Sequence, residues 1–372
     1  MQRKKSKLKL AHENEQVIIN KVNRMIEELG AHTEPLCASL NGLQGLFDEI
    51  RNMPTSKKLE CDEMKTVRLN WKEQTEKIES DYTVAAVKST GVGAIGIGAG
   101  TAVASLAPTA AMGIATTFGV ASTGTAISTL SGAAATNAAL AWLGGGALAV
   151  GGGGMAAGNA LLALAGPIGW AIAGVSILAS GLAFFKTWND KKQIEDIFVS
   201  ISERNIKSYK LALLELKERM SKIDRENGLI TDAIDKLKLF GLDYNAMTEA
   251  QQYELGAYVN LLNASTQLLV NPILRLQPKL SEQDLDEYLS YRYESSGQMI
   301  QTELKPVVLM LSNLLYKIEL DGKTKKLLYK TFASNKEMLK GLGINKQIFS
   351  EEVMDIVDDA LSYSCSSSKQ AT

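Results

Sequence analysis

The chain has 372 residues, and its 40 Lys and Arg against 41 Asp and Glu give a formal net charge of −1 at pH 7. This length allows two or three domains with a large core, and the near-zero charge argues against nucleic acid as a partner because it creates no general basic field. The three cysteines, Cys37, Cys61 and Cys365, are too widely spaced for a disulfide framework or a zinc site, which suggests a reducing compartment.

Residues 1–88 are predicted to form an N-terminal helical arm. Met1 to Lys5 is basic like the start of a signal peptide, but residues 11–15 are polar where an apolar stretch would follow, so we expect no cleavable signal. The arm's apolar residues recur every three or four positions, as on one face of a helix. Pro35 and Pro54 predict helix breaks or helix starts. The apolar positions are Ile18, Val22, Met25, Leu29, Leu36, Leu40, Leu43 and Phe47, and then Met64, Val67, Trp71, Ile78 and Tyr82.

Residues 89–185 form a segment of 97 residues without Asp, Glu, Lys, Arg or His, and they hold 21 of the 31 glycines. A soluble domain rarely has such a segment, because its surface needs charged side chains. Three interpretations stay open: a buried hairpin in a soluble bundle, a constitutive membrane anchor, and a segment that inserts conditionally or oligomerises. Glycine costs about 1 kcal/mol per helix position relative to alanine. This cost favours the third interpretation, because a poor autonomous helix can adopt two conformations.

The strongest candidate for a membrane span is 168–185, whose length is close to the minimum for a bilayer. Its apolar side chains favour insertion by about 2 to 5 kcal/mol. Trp188, Lys191 and Lys192 follow the segment, as expected for an interfacial aromatic residue and a basic stop. The residues predicted to enter the membrane are Ile168, Trp170, Ile172, Gly174, Val175, Ile177, Leu178, Leu182, Phe184 and Phe185.

Small residues one helical turn apart predict close helix packing inside the uncharged segment. Backbones can approach closely where such residues face each other, including in lipid. The positions singled out are Gly154, Gly158, Ala165, Gly169 and Ala173. Basic residues also flank both ends of the segment, so we expect Lys88 and Lys186 to lie on the same side of a membrane, with an even number of passes between them.

Residues 186–241 are predicted to be a coiled-coil-like helix. Nine positions repeat with alternating spacings of three and four residues, a pattern that also suits a long amphipathic helix packed in a bundle. Asn227 is the polar position in this seam and is predicted to fix the register of its packing, while Gly241 is predicted to end the helix. The seam consists of Tyr209, Leu213, Leu216, Met220, Ile223, Asn227, Ile230, Ile234 and Leu237.

Residues 242–372 are predicted to be a C-terminal helical region with a disordered tail. Thr248 and Gln251 have the spacing of a capping box that opens a helix to about residue 276. A second helix is expected from Ser281 to Leu320 with Gly322 as its stop, and a third from Ser350. With no alternation typical of strands, the chain is predicted to be all-α, an extended antiparallel helical bundle around a central Gly/Ala-rich hairpin region.

This layout resembles the α-helical pore-forming proteins of the cytolysin A and tripartite haemolysin type, and also the translocators of type III secretion. The resemblance concerns the arrangement of residues 10–240, with a hydrophobic segment between long helices, and includes no shared residue motif. It implies a soluble bundle that covers the segment and exposes it on assembly, with a lipid membrane and further copies or related helical subunits as partners. The expected function is permeabilisation of a bilayer by a toxin or defence effector; the alternative is a membrane-anchored or soluble helical scaffold.

No set of residues predicts an enzyme or a cofactor site. The glycines at 91, 93 and 96 have the spacing of a dinucleotide-binding loop, but no acidic residue follows before Asp190. His12 and His32 are too far apart in sequence for a metal pair on one helical turn, and a Cys37–His32 nucleophile would rest on their spacing alone. We therefore expect no catalysis and no cofactor, in a protein that associates with a membrane and is cytoplasmic before insertion.

Overall fold

The computed structural model of this chain describes residues 7–69, 187–270, 273, 275, 279–280, 282–297, 299–334, 339, 344 and 347–370. These residues form helices and no β-strand, which confirms the predicted all-α class. The uncharged segment 89–185 lies outside the described residues. The residues predicted there to insert into a membrane or to pack helices therefore stay predictions.

The N-terminal arm is one long helix followed by a second. Helix α1 spans Lys7–Glu49 without interruption, so the break predicted at Pro35 is wrong. Pro35 is exposed, while the neighbouring Leu36 and Leu40 are completely buried, and this packing offsets the backbone hydrogen bond that proline removes. Helix α2 begins at residue 55, directly after Pro54, as predicted, and is described to residue 69.

Helix α3, Trp188–Phe240, confirms the long helix predicted after the uncharged segment. The Thr187 side chain accepts a hydrogen bond from the backbone N–H of Asp190, which satisfies a free donor at the helix start. Gly241 follows the last turn with φ of 81°, a backbone angle that favours glycine, and this confirms the predicted end.

Helices α1 and α3 lie side by side and run parallel, not antiparallel as predicted. Contacts along the pair join residues separated by a nearly constant 187 to 192 positions, from Leu8–Glu195 near the start to Asn52–Asp243 beyond the end. An isolated parallel β-bridge closes the far end, where the Arg51 N–H donates to the Leu242 carbonyl and the Arg51 carbonyl accepts from the Tyr244 N–H. The sequence period predicts which face of a helix packs, but not the direction of its partner.

Helix α4, Glu249–Val270, returns antiparallel along α3. The predicted capping box forms at its start: Thr248 N–H donates to Gln251 Oε1 at 2.9 Å, and Gln251 N–H donates to Thr248 Oγ1 at 3.3 Å. Helices α1, α2, α3 and α4 share one hydrophobic cluster, here called the bundle core, which contains Leu40, Leu43, Leu216, Ile230, Leu255 and Leu262 among others.

The C-terminal residues form shorter helices than predicted. The single helix expected from Ser281 to Leu320 is instead helix α5 (Glu282–Ser296), a 3₁₀ turn (Thr302–Leu304) and helix α6 (Lys305–Leu315). Gly297, with φ of 69°, adopts a left-handed conformation directly after α5.

Two further predictions for this region are wrong. Gly322 does not stop a helix but begins α7, Gly322–Ser334, where Asp321 Oδ1 accepts the Thr324 N–H at 2.7 Å. The last helix, α8, begins near Ser350 as predicted, but its span Glu352–Gln370 includes most of the tail predicted to be disordered.

Helices α5 to α8 and the first turns of α3 share a second hydrophobic cluster, the C-terminal core. It includes Leu8 of α1 together with Ile194, Phe198 and Ile201 of α3, so it lies at the end where α1 and α3 begin. That end of the pair is called the N-terminal end below. The C-terminal helices are therefore attached where α3 leaves the uncharged segment.

Candidate functional site at the N-terminal end of the helix pair

Helix α2, which precedes the uncharged segment, points towards the N-terminal end, and helix α3, which follows it, begins at that end. Helix α2 runs antiparallel to α1, because Lys65 contacts Asp48 and Arg68, further along α2, contacts Gln44, which is earlier in α1. The chain thus heads from the far end back towards the N-terminal end as it enters residues 70–186. It reappears at that end, where Thr187 caps α3.

The first turn of α3 presents an aromatic ring and basic side chains to solvent. The Trp188 residue is 71 % exposed, an unusual position for so large an apolar side chain. The Lys192 Nζ lies 5.2 Å from the centroid of its ring, a cation–π geometry, and Lys191 is exposed beside it. These residues follow the predicted span directly in sequence, and the structure leaves them uncovered.

Polar contacts hold the C-terminal region against the following turns of α3. Gln193 Nε2 donates to Thr324 Oγ1 at 3.1 Å, and Lys323 Nζ lies 3.7 Å from Asp190 Oδ1. Further along, the Arg204 guanidinium donates to the Tyr316 carbonyl. The start of α3 is therefore fixed to the C-terminal core on one side.

A buried polar layer separates the two hydrophobic cores along α1 and α3. Glu15 of α1 is 1 % exposed; its Oε1 accepts from Asn205 Nδ2 at 2.8 Å, while Oε2 has no hydrogen-bond partner among the described residues. The Asn205 Oδ1 in turn accepts from the Arg204 guanidinium at 2.8 Å. Burial raises the pKa of Glu15, and the nearby Ser202 hydroxyl, the hydrogen bond from Asn205 and the charge of Arg204 oppose this in part.

A second buried polar group, Arg68, joins three helices of the bundle. It is 2 % exposed, and its two terminal nitrogens donate to Thr266 Oγ1 of α4 and Gln44 Oε1 of α1, each at 2.8 Å. Its Nε is buried and has no partner among the described residues, and burial lowers the pKa of the guanidinium. A buried cation held by neutral acceptors fixes how α2 sits against α1 and α4, at a cost in desolvation.

The predicted register residue, Asn227, lies on the packed face of α3 between the buried Ile223 and Ile230. Its Oδ1 is buried and has no hydrogen-bond partner in the described part of the chain. An unsatisfied amide costs stability where it is buried. The Asn227 side chain therefore lowers the stability of the bundle at this position. Its role in fixing the register of helix packing stays a prediction.

Glu15 and Arg68 were not among the residues singled out from the sequence, although a signal was present. Glu15 continues the three-and-four spacing of Leu8, Ala11, Ile18 and Val22, and Arg68 follows Cys61 and Met64 in the same way. A charged residue in phase with an apolar stripe can be buried, and in both cases it is.

Other sequence candidates form no reactive site within the described residues. His32 Nδ1 lies 2.6 Å from Asp224 Oδ1 at the surface of the α1–α3 pair, and neither Cys37 nor Cys61 forms a disulfide with another described residue. Burial raises the pKa of the Cys61 thiol to about 11, which disfavours its reactive thiolate. No group of His, Cys, Asp and Glu in the described ranges could hold a metal ion.

Helices in the described part of the chain are too short or too polar to cross a bilayer. Comparison of the chain with protein-family models, with curated proteins and with solved structures finds no match.

Proposed function

We propose that the chain is a membrane-inserting protein that oligomerises, with itself or with related helical subunits, and permeabilises a lipid bilayer as a toxin or a cell-death or defence effector. The observation that carries the proposal is the 97-residue uncharged segment, which is preceded by α2, pointing towards the N-terminal end, and followed by α3, which begins there. The proposal places both ends of the segment at the N-terminal end, so that it can enter a bilayer without crossing the helical body.

The first turn of α3 supports the same proposal. Trp side chains are enriched at the membrane–water interface, and basic side chains next to a span interact with lipid headgroups. Trp188 is exposed, with Lys191 and Lys192 beside it, at the point where the uncharged segment ends. In a protein that only meets water, an exposed tryptophan at this position loses the burial that usually stabilises it.

A liposome leakage assay separates the proposal from its alternatives. Protein that is soluble without detergent and releases an encapsulated dye supports a pore former. Protein that needs detergent to stay in solution supports a membrane anchor, and soluble protein that leaves liposomes intact supports a helical scaffold. The leakage should also increase more steeply than linearly with protein concentration if pore formation requires assembly.

Gly174→Arg tests the predicted span directly. An arginine at the centre of a span costs about 2.5 to 3.5 kcal/mol on insertion scales, which is comparable to the apolar gain of residues 168–185. We expect leakage to be lost while solubility and helicity are retained. The matched control is Gly45→Arg, because Gly45 is exposed on α1 and has open space around it. Loss of folding in Gly174→Arg but not in Gly45→Arg would instead indicate a buried soluble hairpin.

The topology makes a separate prediction. Because basic residues flank both ends of the segment, cysteines introduced at Lys88 and Lys186 should react with an impermeant reagent from the same side of the liposome. Cys37, Cys61 and Cys365 are first replaced with serine or alanine so that they give no signal. Labelling of the two positions from opposite sides would rule out an even number of passes.

A further inference from the structure

The exposed side of helix α7 is formed by lysines and is here called the lysine face: Lys323, Lys326 and Lys330. These residues are exposed and are spaced by three and four positions, which places them on one face of the helix. Residues 322–334 contain no Asp or Glu. The buried residues of α7 are Thr324, Leu327, Leu328, Thr331, Phe332 and Ala333. Helix α7 therefore packs with one side and presents a basic surface with the other.

The fourth lysine of α7 differs from the lysine face because carboxylates compensate its charge. The Lys325 side chain is 19 % exposed, and its Nζ lies 2.9 Å from Asp355 Oδ1 and 2.6 Å from Asp358 Oδ2 of α8. Lys326 and Lys330 form no ion pair with any carboxylate in the described part of the chain. The positive charge of the lysine face is therefore directed to solvent and not used to attach α7 to α8.

The stability of α7 does not account for these lysines. The first turn of a helix carries a partial positive charge, so a cation there is unfavourable. Lys323 is the second residue of α7, and Lys326 lies one turn further on. Lys323 Nζ is 3.7 Å from Asp190 Oδ1 at the surface, and ion pairs of this kind contribute little. A basic face at this end of a helix is better explained by an anionic partner than by folding.

Contacts place the lysine face at the N-terminal end of the bundle. Thr324 Oγ1 accepts from Gln193 Nε2 at 3.1 Å, so α7 begins against the first turns of α3. At a rise of about 1.5 Å per residue, Lys330 lies about 9 Å further along α7. Lys323 also lines an open cleft of about 550 Å³ together with Lys192 of α3. The lysine face thus continues the basic surface of the first turn of α3.

Carboxylates at this end of the bundle lie outside the lysine face. Asp321 caps α7, because its Oδ1 accepts the Thr324 N–H at 2.7 Å. Asp196 and Glu319 are exposed and line the cleft, together with Lys317. The cleft therefore has mixed charge, while the exposed side of α7 carries positive charge alone.

We propose that the lysine face of α7 and the basic first turn of α3 dock the protein on an anionic membrane surface. Such a surface attracts basic side chains by its overall negative potential, so exposed lysines at one end of a protein suffice and no pocket is required. Docking by this end brings Trp188 to the membrane–water interface, where tryptophan is favoured, next to the end of the uncharged segment. The inference rests on the proposed function, and it adds the lipid class and the surface that meets it.

Co-sedimentation of the full chain with lipid vesicles tests the choice of partner. The vesicles are phosphatidylcholine with and without phosphatidylglycerol, at low and at high salt. We expect binding that requires phosphatidylglycerol and weakens at high salt, because salt screens the attraction between exposed charges. Equal binding to the two kinds of vesicle, binding that salt leaves unchanged, or failure to bind either vesicle would overturn the proposal.

Charge variants test the lysine face itself. Each lysine near an anionic surface contributes about five-fold in affinity, so Lys326→Gln with Lys330→Gln should bind vesicles with phosphatidylglycerol about 25-fold more weakly. The control pair is Lys58→Gln with Lys217→Gln, which removes the same charge from exposed positions away from the N-terminal end and should bind like the wild type. Equal weakening in the control pair would show a response to total charge and would refute the assignment, as would full binding by the double variant.

A charge-preserving variant guards against loss of structure. Lys326→Arg with Lys330→Arg keeps both positive charges and should bind like the wild type, and helicity by circular dichroism should be equal in all variants. Weak binding by this pair at unchanged helicity would contradict a surface that acts through its charge.

Dye leakage from the same vesicles separates this inference from the proposed function. Binding that depends on phosphatidylglycerol and on the lysine face, without leakage, supports docking and refutes permeabilisation. Leakage that is equal in both kinds of vesicle, and equal for the wild type and the glutamine double variant, supports permeabilisation and refutes docking through the lysine face.

Discussion

Replacing Glu15 with glutamine removes the ionisable group from the buried polar layer while it keeps the size of the side chain and an acceptor for Asn205. The carboxylate is 1 % exposed and its Oε2 has no hydrogen-bond partner among the described residues. An unsatisfied buried polar atom costs about 1 to 3 kcal/mol, and more when it is charged. We therefore expect Glu15→Gln to raise the free energy of unfolding at pH 7 by about 1 to 3 kcal/mol.

The effect should depend on pH with a defined sign. Burial raises the pKa of Glu15 above its ordinary value of 4.5, so the folded protein holds this proton more tightly than the unfolded chain. The resulting stabilisation is complete below 4.5 and is lost as the pH rises through the raised folded pKa. The advantage of Gln over Glu should consequently be smallest in acid and reach its full size above the folded pKa.

Urea unfolding followed by circular dichroism at a series of pH values measures this difference. The control is Glu28→Gln, because Glu28 is exposed on the same helix. If Glu15→Gln destabilises the protein at pH 7, the hydrogen bond from Asn205, the nearby Ser202 hydroxyl and the charge of Arg204 outweigh desolvation. An advantage that grows towards acid pH would contradict the reasoning directly.

Three further substitutions test other features of the bundle. Asn227→Leu should raise the thermal midpoint and make helix association less specific, because it removes a buried unsatisfied amide; a lower midpoint would contradict this. Arg68→Ala should lower the free energy of unfolding by about 2 to 4 kcal/mol, since it leaves a void and two unpaired acceptors in the bundle core. The control is Arg24→Ala, which should have little effect in the same urea titration because Arg24 is exposed. Thr248→Ala should cost about 1 kcal/mol through loss of the helix cap, and Thr248→Ser should restore most of it; equal stability of the two variants would argue against the cap.

Local chemistry explains which parts of the fold could be predicted from sequence. The Thr248 capping box and the glycine end at Gly241 formed as expected, because each depends on residues within one turn. The helix break predicted at Pro35 and the helix stop predicted at Gly322 are wrong, because the effect of each residue depends on the structure packed around it. Packing of α1 against α3 keeps the helix continuous through Pro35, and Asp321 makes Gly322 the start of a helix.

Long-range arrangement could not be predicted in the same way. A heptad pattern specifies an apolar face but not whether the partner helix is parallel, so the direction of α1 against α3 appears only in the structure. The buried polar layer is a stronger case, since Glu15 and Asn205 lie 190 positions apart in the sequence. Only the packing of α1 against α3 brings them into contact.

Parallel pairing of α1 with α3 determines when each helix can find its partner during protein synthesis. Each contact along the pair joins residues 187 to 192 positions apart, and a ribosome adds about 5 to 20 residues per second. About 10 to 40 seconds therefore pass between synthesis of the apolar face of α1 and synthesis of the α3 residues that cover it. The uncharged segment is also translated within that interval, before α3 exists. A nascent chain with two uncovered apolar regions at once is a substrate for chaperones, and its yield should depend on them more than that of a bundle built from neighbouring hairpins.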